Sequence, residues 1–337
     1  MNSLQIFSTR RSKGFFLAGL GVALTAALVV SLLIGSVKAD PRDIFAALLG
    51  RDRESTTARI ILYSRLPRTC AALLAGAALA VSGMVIQTVL NNPLASPSVI
   101  GVNSSAGFAV ALVCALFPTM QKHTPLIAFI GALAGVLLVM VLAQSTVAAR
   151  ITVVLAGVAI SNLFNAGIDA VVTLVPDALN SVTDFRIGGF TGVTMSQLAA
   201  PARIIVASLV LLLTLSHQLD ILSLGTDTAK SLGLAVGRMR IIFLILAAAL
   251  AGAAVSFAGL LGFIGLIVPH IMRRIAGEDS GILLAATALG GAFFMVLCDL
   301  VARVLFSPFE IPVGIVLSFA GAPFFLWLLF RQRGGRV

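Results

Sequence analysis

The sequence predicts an all-α, polytopic membrane protein of ten transmembrane helices, and three observations carry that reading. Hydrophobic residues fill 59% of the 337 positions and charged residues only 11%, against roughly 25% charge in a soluble domain. Mean hydropathy is +1.09. The apolar residues also fall in uncharged runs, several of them close to the roughly 20 residues that a helix needs to cross a hydrocarbon core.

The net charge of +10 sits in islands between those runs, so a nucleic-acid partner is not indicated. Cys70, Cys114 and Cys298 lie singly in apolar surroundings, as buried small hydrophobes do, and imply neither a disulfide framework nor a metal site. No glycine-rich loop ends in Gly-Lys-Ser/Thr. Any ATP used in transport must be hydrolysed by another chain, and no cofactor is expected.

Taken in order, the first span is Gly14–Val37, preceded by Arg10, Arg11 and Lys13. Basic residues ahead of a first span favour a cytoplasmic start. Residues 38–68 form the longest polar segment, followed by spans at 69–90, 98–118, 125–149 and 151–173. The last of these carries Asn162, Asn165 and Asp169. A carboxylate facing lipid is costly, so Asp169 should face the bundle, a cavity or an interface. Residues 176–200 read as irregular or short-helical, and 201–219 as the sixth span. A second polar island, 220–240, suggests two short surface helices, with Thr226 as a cap and Gly233 as a terminator. Spans seven and eight, 241–258 and 262–275, are expected to meet in a tight turn at glycines 259, 262 and 265, unless that break is a re-entrant dip, which would leave nine crossings; an inside, Arg-rich C-terminus favours ten. Spans nine and ten are 281–301 and 311–330.

An even number of crossings puts both termini inside, together with Lys230, Arg238, Arg240, Arg273 and Arg274. Lys and Arg nonetheless divide almost evenly between the sides. The outer share concentrates between residues 38 and 68, where Arg65 and Arg68 have no acid close by in sequence, which points to docking. The second span has a function at each end. Arg65-Leu66-Pro67-Arg68 opens it, and Asn91-Asn92-Pro93 with Pro97 closes it in a polar turn. Between them Ala72, Gly76 and Ala80 form a small-residue stripe that lets another backbone approach. Gly314, Ser318 and Ala322 form a second such stripe.

In RLPR, NNPLASPSVIG, TAKSLG, GFIGLIVPHIMRRIAGED, DLVAR and EIPVGIVLSFAGAPFFLWLL, spread in order over about residues 60–330, the chain resembles the permeases of ATP-binding cassette importers for iron-siderophores, haem and cobalamin. The resemblance implies the type II importer permease fold in a single domain over 1–337. Inverted repeats would lie at about 65–173 and 239–330, with a cytoplasmic coupling segment at 220–240. It implies two cytoplasmic ATPase subunits, an extracytoplasmic substrate-binding protein, and a second permease subunit, identical or paralogous. The setting is the lipid of a bacterial or archaeal cell membrane. The implied cargo is an iron chelate, an iron-siderophore first and haem or cobalamin as the alternative.

Residue by residue, the resemblance assigns binding-protein docking to Arg65, Arg68 and Arg303. It assigns ATPase coupling to Gly225, Thr226, Asp227, Ala229, Leu232 and Gly233. Asn92, Pro93, Pro97, Gly262, Pro269 and His270 are turn or gate positions. His270, like His123 and His217, lacks a second ligand at metal-binding spacing and reads as structural. The chain departs from the family at Phe185, where Trp is usual, at Gly189, where Ser is usual, and at Asn91, where a basic residue is usual. Two other classes stay open on the residues alone. An ion-coupled secondary transporter would use Asp169 and Asp299, and a membrane enzyme would need convergent catalytic groups that do not assemble here.

Overall fold

A computed structural model describes residues 10–34, 55–144, 149–307 and 309–333. Ten principal helices run through them: α1 (Arg10–Leu33), α2 (Thr56–Leu90), α3 (Val102–Leu116), α4 (Thr124–Gln144), α5 (Ala149–Leu174), α6 (Met195–Thr214), α7 (Val236–Ala258), α8 (Ile264–Ala276), α9 (Ser280–Val304) and α10 (Val313–Arg333). Seven of them are long and apolar enough to cross a membrane, α3 and α10 offer shorter apolar stretches, and α8 is a 13-residue helix ending in Arg273 and Arg274. Short helices at Leu179–Ile187, Ser216–Ser223 and Thr226–Ser231 join the longer ones. The polar stretch expected over 38–54 lies outside the described residues.

The central element is α2, which is buried along most of its length. It packs on α7, α8 and α9, with α1 laid against α9 and α6 against α7. The stripe Ala72, Gly76 and Ala80 makes this possible. A Cβ on Gly76 would sit 2.3 Å from the Gly291 carbonyl oxygen, and one on Gly291 would sit 2.5 Å from Ala80 Cβ. Gly83 meets Gly265 of α8 as closely, at 2.1 Å from its carbonyl oxygen. Small residues let these backbones touch where bulkier ones would hold them apart.

Pairings within α2–α5 recur within α7–α10. The contacts α3–α4, α3–α5 and α4–α5 correspond to α8–α9, α8–α10 and α9–α10. The cross-contacts α2–α9 and α2–α8 correspond to α7–α4 and α7–α3.

Three boundaries and one packing face differ from expectation. Helix α2 begins at Thr56, capped by Ser55 Oγ on the Ala58 amide at 3.1 Å, and passes through Pro67. One π-helical turn, Ile61–Arg65, precedes the proline and absorbs it. Helix α6 starts at Met195, ahead of Pro201, because Thr194 and Gln197 form a reciprocal capping box. The α7–α8 connection is not a tight glycine turn. Ser82 Oγ donates to the Ala247 carbonyl at 2.6 Å, and α7 continues about three turns beyond that level. Residues 259–263 then carry the chain back to Gly265 beside Gly83 without helical structure. Positive φ falls on Gly259 and Phe263, and Gly262 has neither positive φ nor a neighbour that a Cβ would meet. In α10 only Gly314 of the stripe Gly314, Ser318 and Ala322 packs within the chain; Ser318 and Ala322 are exposed, while Leu317 and Gly321 are buried, Gly321 against the Phe263 ring.

Candidate functional site

Two polar clusters mark opposite ends of the bundle, and a polar helix face runs between them. At one end the π turn and α2 present Arg65 and Arg68, α9 presents Asp299 and Arg303, and α1 terminates. Arg65 Nη1 donates to the carbonyls of Leu32 and Leu33 at 2.8 and 2.9 Å. Arg303 Nη1 donates to those of Ser31 and Ile34 at 3.0 and 3.3 Å, and its Nη2 to Ser31 Oγ at 2.6 Å. A helix leaves its last four carbonyls without partners, and here two arginines from other helices satisfy them. Guanidinium charge is also favoured at that pole of the helix dipole.

Asp299, wholly buried, lies between the arginines. Arg68 Nε donates to its Oδ1 at 2.9 Å, and Arg303 Nε lies 3.1 Å from its Oδ2. Arg68 Nη1 also pairs with Glu310, in the segment before α10. Arg65, Arg68 and Arg303, expected to dock a binding protein, are 5%, 8% and 3% exposed in this chain and bond to groups of the same chain. The acids that engage Arg68 are 231 and 242 positions away, which local sequence could not reveal.

The opposite end is built around Asn91–Pro97. Asn91 takes a left-handed conformation with φ of 47°. Asn91 N bonds the Thr88 carbonyl and Asn92 N the Gln87 carbonyl, ending α2 in a Schellman turn. Asparagine tolerates that conformation, which explains a residue that looked anomalous in sequence. Asn92 Oδ1 accepts from Leu94 N at 2.9 Å, Pro93 is exposed, and buried Pro97 packs on Gly265. Gln87 Nε2 donates to the Gly265 carbonyl at 2.9 Å, while Arg273 donates to Gln87 Oε1 and Thr88 Oγ1 at 3.0 Å each. A cavity of about 160 Å³ opens there, bordered by Asn92, Pro93, Ser223, Arg273, Glu278 and Ser280. Pro269 is buried within α8, and the His270 ring meets Phe324 edge-on at 6.0 Å.

The short helices 216–223 and 226–231 adjoin this end. The first packs on α2 and α9, and its Leu219 and Leu222 are buried. In the second, Ala229 is the buried residue, while Asp227 and Leu232 are exposed. Gly225, not Thr226, occupies the N-cap, and Arg240 Nη2 reaches Thr226 Oγ1 at 3.4 Å. Gly233 ends the helix as expected, at φ of 80°, with Gly233 N on the Lys230 carbonyl and Leu234 N on that of Ala229.

Between the ends, α5 carries Asn162, Asn165, Asp169 and Thr173 on one face, all exposed. Their spacing of three, four and four residues aligns them on an α-helix. Asp169 accepts from Arg186 Nη1 at 2.9 Å. The departure at Phe185–Gly189 forms a joint with the α7–α8 connection. Leu260 N bonds the Phe185 carbonyl at 2.9 Å, and Gly189 N bonds that of Ala258 at 2.8 Å. A Cβ on Gly188 or Gly259 would collide with backbone there, so both glycines are needed.

Residues 23–331 match the model of the FecCD transport family. The chain belongs to the FecCD transport family. Membership makes it a permease subunit of an ATP-binding cassette transporter rather than an enzyme. It is 37% identical, over 96% of its length and 97% of the relative's, to the Fe(3+)-citrate import system permease protein YfmE of Bacillus subtilis (strain 168). It is 36% identical to the hemin transport system permease protein HmuU of Yersinia pestis, covering 92% and 95% of the two chains. Among solved structures it matches one described as an inward-facing conformation of a metal-chelate type ABC transporter. The TM-score is 0.84 at 30% identity, over 94% of this FecCD-family chain and 99% of the other.

Proposed function

We propose that this chain is the pathway-forming subunit of an importer for an iron chelate, an iron-siderophore first and haem or cobalamin as the alternative. The observation that carries the reading is the polar face of α5. Asn162, Asn165, Asp169 and Thr173 lie exposed on a helix long and apolar enough to cross a membrane. Thr173 Oγ1 donates to the Asp169 carbonyl at 2.7 Å, but lipid cannot satisfy the amides of Asn162 and Asn165 or the Asp169 carboxylate, so this face lines a wet path between this subunit and a second permease copy. Amides, a hydroxyl and one balanced Asp169–Arg186 pair offer hydrogen bonds without a ring of like charge, which suits an intact chelate passing through. The recurrence of the α2–α5 pairings in α7–α10 supports ten crossings built from two inverted repeats.

In this reading the Asn92 end and both termini are cytoplasmic, and helix 226–231 is the knob that one of the two ATPase subunits grips on each permease copy. The binding protein seats on the opposite end, where Arg65, Arg68 and Arg303 brace the platform from beneath instead of meeting the partner directly. Asp299 is committed to two arginines and Asp169 to one, which leaves ion-coupled transport without a free carboxylate at these two positions.

The test is uptake into vesicles holding the complete transporter, offered ferric hydroxamate, ferric citrate or haem on the matching binding protein. ATP-dependent accumulation of one of them is expected. Accumulation driven by a membrane potential, without ATPase or binding protein, would sink the proposal.

A further inference from the structure

The α9 N-terminus is held by two carboxylates of different origin. Asp279 is its own N-cap, with Oδ1 accepting from Ile282 N at 3.1 Å. The second is Asp220 of helix 216–223, whose Oδ1 accepts from Ser280 N at 2.8 Å. Ser280 is buried, and a first-turn amide has no partner within its own helix. Asp220 therefore supplies, from another element, an acceptor that this end of α9 needs. A carboxylate is also favoured at the positive pole of a helix. One residue further on, Gly281 faces Ser216, and an ideal Cβ on Gly281 would lie 3.9 Å from Ser216 Cβ. Helix 216–223 thus touches α9 at both Ser216 and Asp220, and its Leu219 and Leu222 are buried.

We propose that Asp220 is a positioning residue that makes helix 216–223 and α9 move as one body. This rests on the reading above, in which helix 226–231, two residues further along the chain, is the knob gripped by the ATPase. Displacement of the knob then reaches α9 through Asp220 and Ser280. The α9 helix is a single uninterrupted rod. Its middle is pressed on α2 at Gly291, and its far end carries Asp299 and Arg303, which hold Arg68 and the end of α1. One rigid element therefore joins the ATPase-facing end to the binding-protein-facing end. Glu278, Asp279 and Arg273 also border this notch, but among the described residues Asp220 is the side chain from the knob side that bonds α9.

The experiment measures chelate moved per ATP hydrolysed by the complete transporter in vesicles, in a chain whose Cys70, Cys114 and Cys298 are replaced by alanine. The unsubstituted control decides the underlying reading first. If it moves no chelate with ATP, the permease reading falls and this proposal with it. With transport present, Asp220→Ala should lower the ratio by about tenfold while basal ATP hydrolysis persists. The 3.9 Å Cβ separation suits a disulfide. Adding Ser216→Cys and Gly281→Cys to Asp220→Ala should therefore restore the ratio when oxidised and lose it again on reduction. A merely structural role for Asp220 would not follow the redox state. An unchanged ratio in Asp220→Ala, or no recovery on oxidation, overturns the proposal. Should Asp220→Ala fail to fold, the cysteine pair in the chain that keeps Asp220 still decides. Transport that continues when oxidised is the expected result, and transport that stops means the knob must slide on α9, which refutes the link.

Discussion

Arg68 and Asp299 form a buried ion pair, Nε to Oδ1 at 2.9 Å, between helices that meet only in the folded chain. Asp299 offers its second oxygen to Arg303, so one carboxylate offsets two guanidinium groups. Replacing Asp299 with Asn leaves Arg303 buried without its counter-charge and Arg68 with Glu310 alone. Removing one partner of a buried pair costs about 3–5 kcal/mol. Asp299→Asn is therefore expected to lower the thermal midpoint of the detergent-solubilised chain sharply. Glu310→Gln, at the half-exposed edge of the cluster, should do far less. Equal midpoints for the two variants would show that the central carboxylate is not what holds the cluster.

Arg65 and Arg303 hold the last carbonyls of α1. Arg303→Gln should free the end of α1, read as faster labelling of a cysteine placed at Ile34. If the arginines act as braces, binding-protein affinity should fall in step with that labelling across Arg65→Gln and Arg303→Gln. Loss of affinity with α1 still protected would instead mean direct contact between these arginines and the binding protein.

The glycines of the helix crossings separate into two kinds. A methyl group on Gly76 would lie 2.3 Å from a backbone oxygen, so Gly76→Ala must force α2 and α9 apart. Overpacking of this kind costs about 1–3 kcal/mol. Gly262 has open space and no positive φ, and Gly262→Ala should stay within about 0.5 kcal/mol of the parent. Melting curves of the two variants side by side check both expectations.

Gly233 closes the knob in a left-handed conformation, and an L side chain there costs about 1–2 kcal/mol. Inserting one residue after Gly233 would shift Leu234 out of its bond to the Ala229 carbonyl. ATP hydrolysis should continue while uptake falls at least tenfold, measured together in vesicles. Gly237→Ala, inside α7 with no close neighbour, is the matched control and should transport normally.

The exposed pair Asp169–Arg186 contributes little to stability, since such pairs are worth about 0–1 kcal/mol. Asp169→Asn should leave the melting midpoint unchanged yet alter the uptake rate, because the side chain faces the proposed path. A changed midpoint with unchanged uptake would remove α5 from that path.

Much of this architecture was legible in the chain, and the misreadings share a cause. Hydropathy found the helices because crossing a membrane demands a local run of apolar residues. It placed their ends poorly where a proline lies inside a helix, as Pro67 and Pro201 do, because a π turn or a capping box compensates for it. The stripe on α2 was read correctly, whereas that on α10 was shifted, because spacing identifies a face without saying which face meets a neighbour. The Thr194–Gln197 capping box was a readable signal that was missed.

By itself the sequence determined the membrane class, the order of the helices, the family motifs and the glycine that ends the knob. These depend on residues near one another in the chain. Only the tertiary structure decided that Arg65, Arg68 and Arg303 turn inward to Asp299, Glu310 and the end of α1, and that Asp220 bonds to α9. Charges find their partners through helix packing, and nothing in local sequence encodes which helices come to lie side by side.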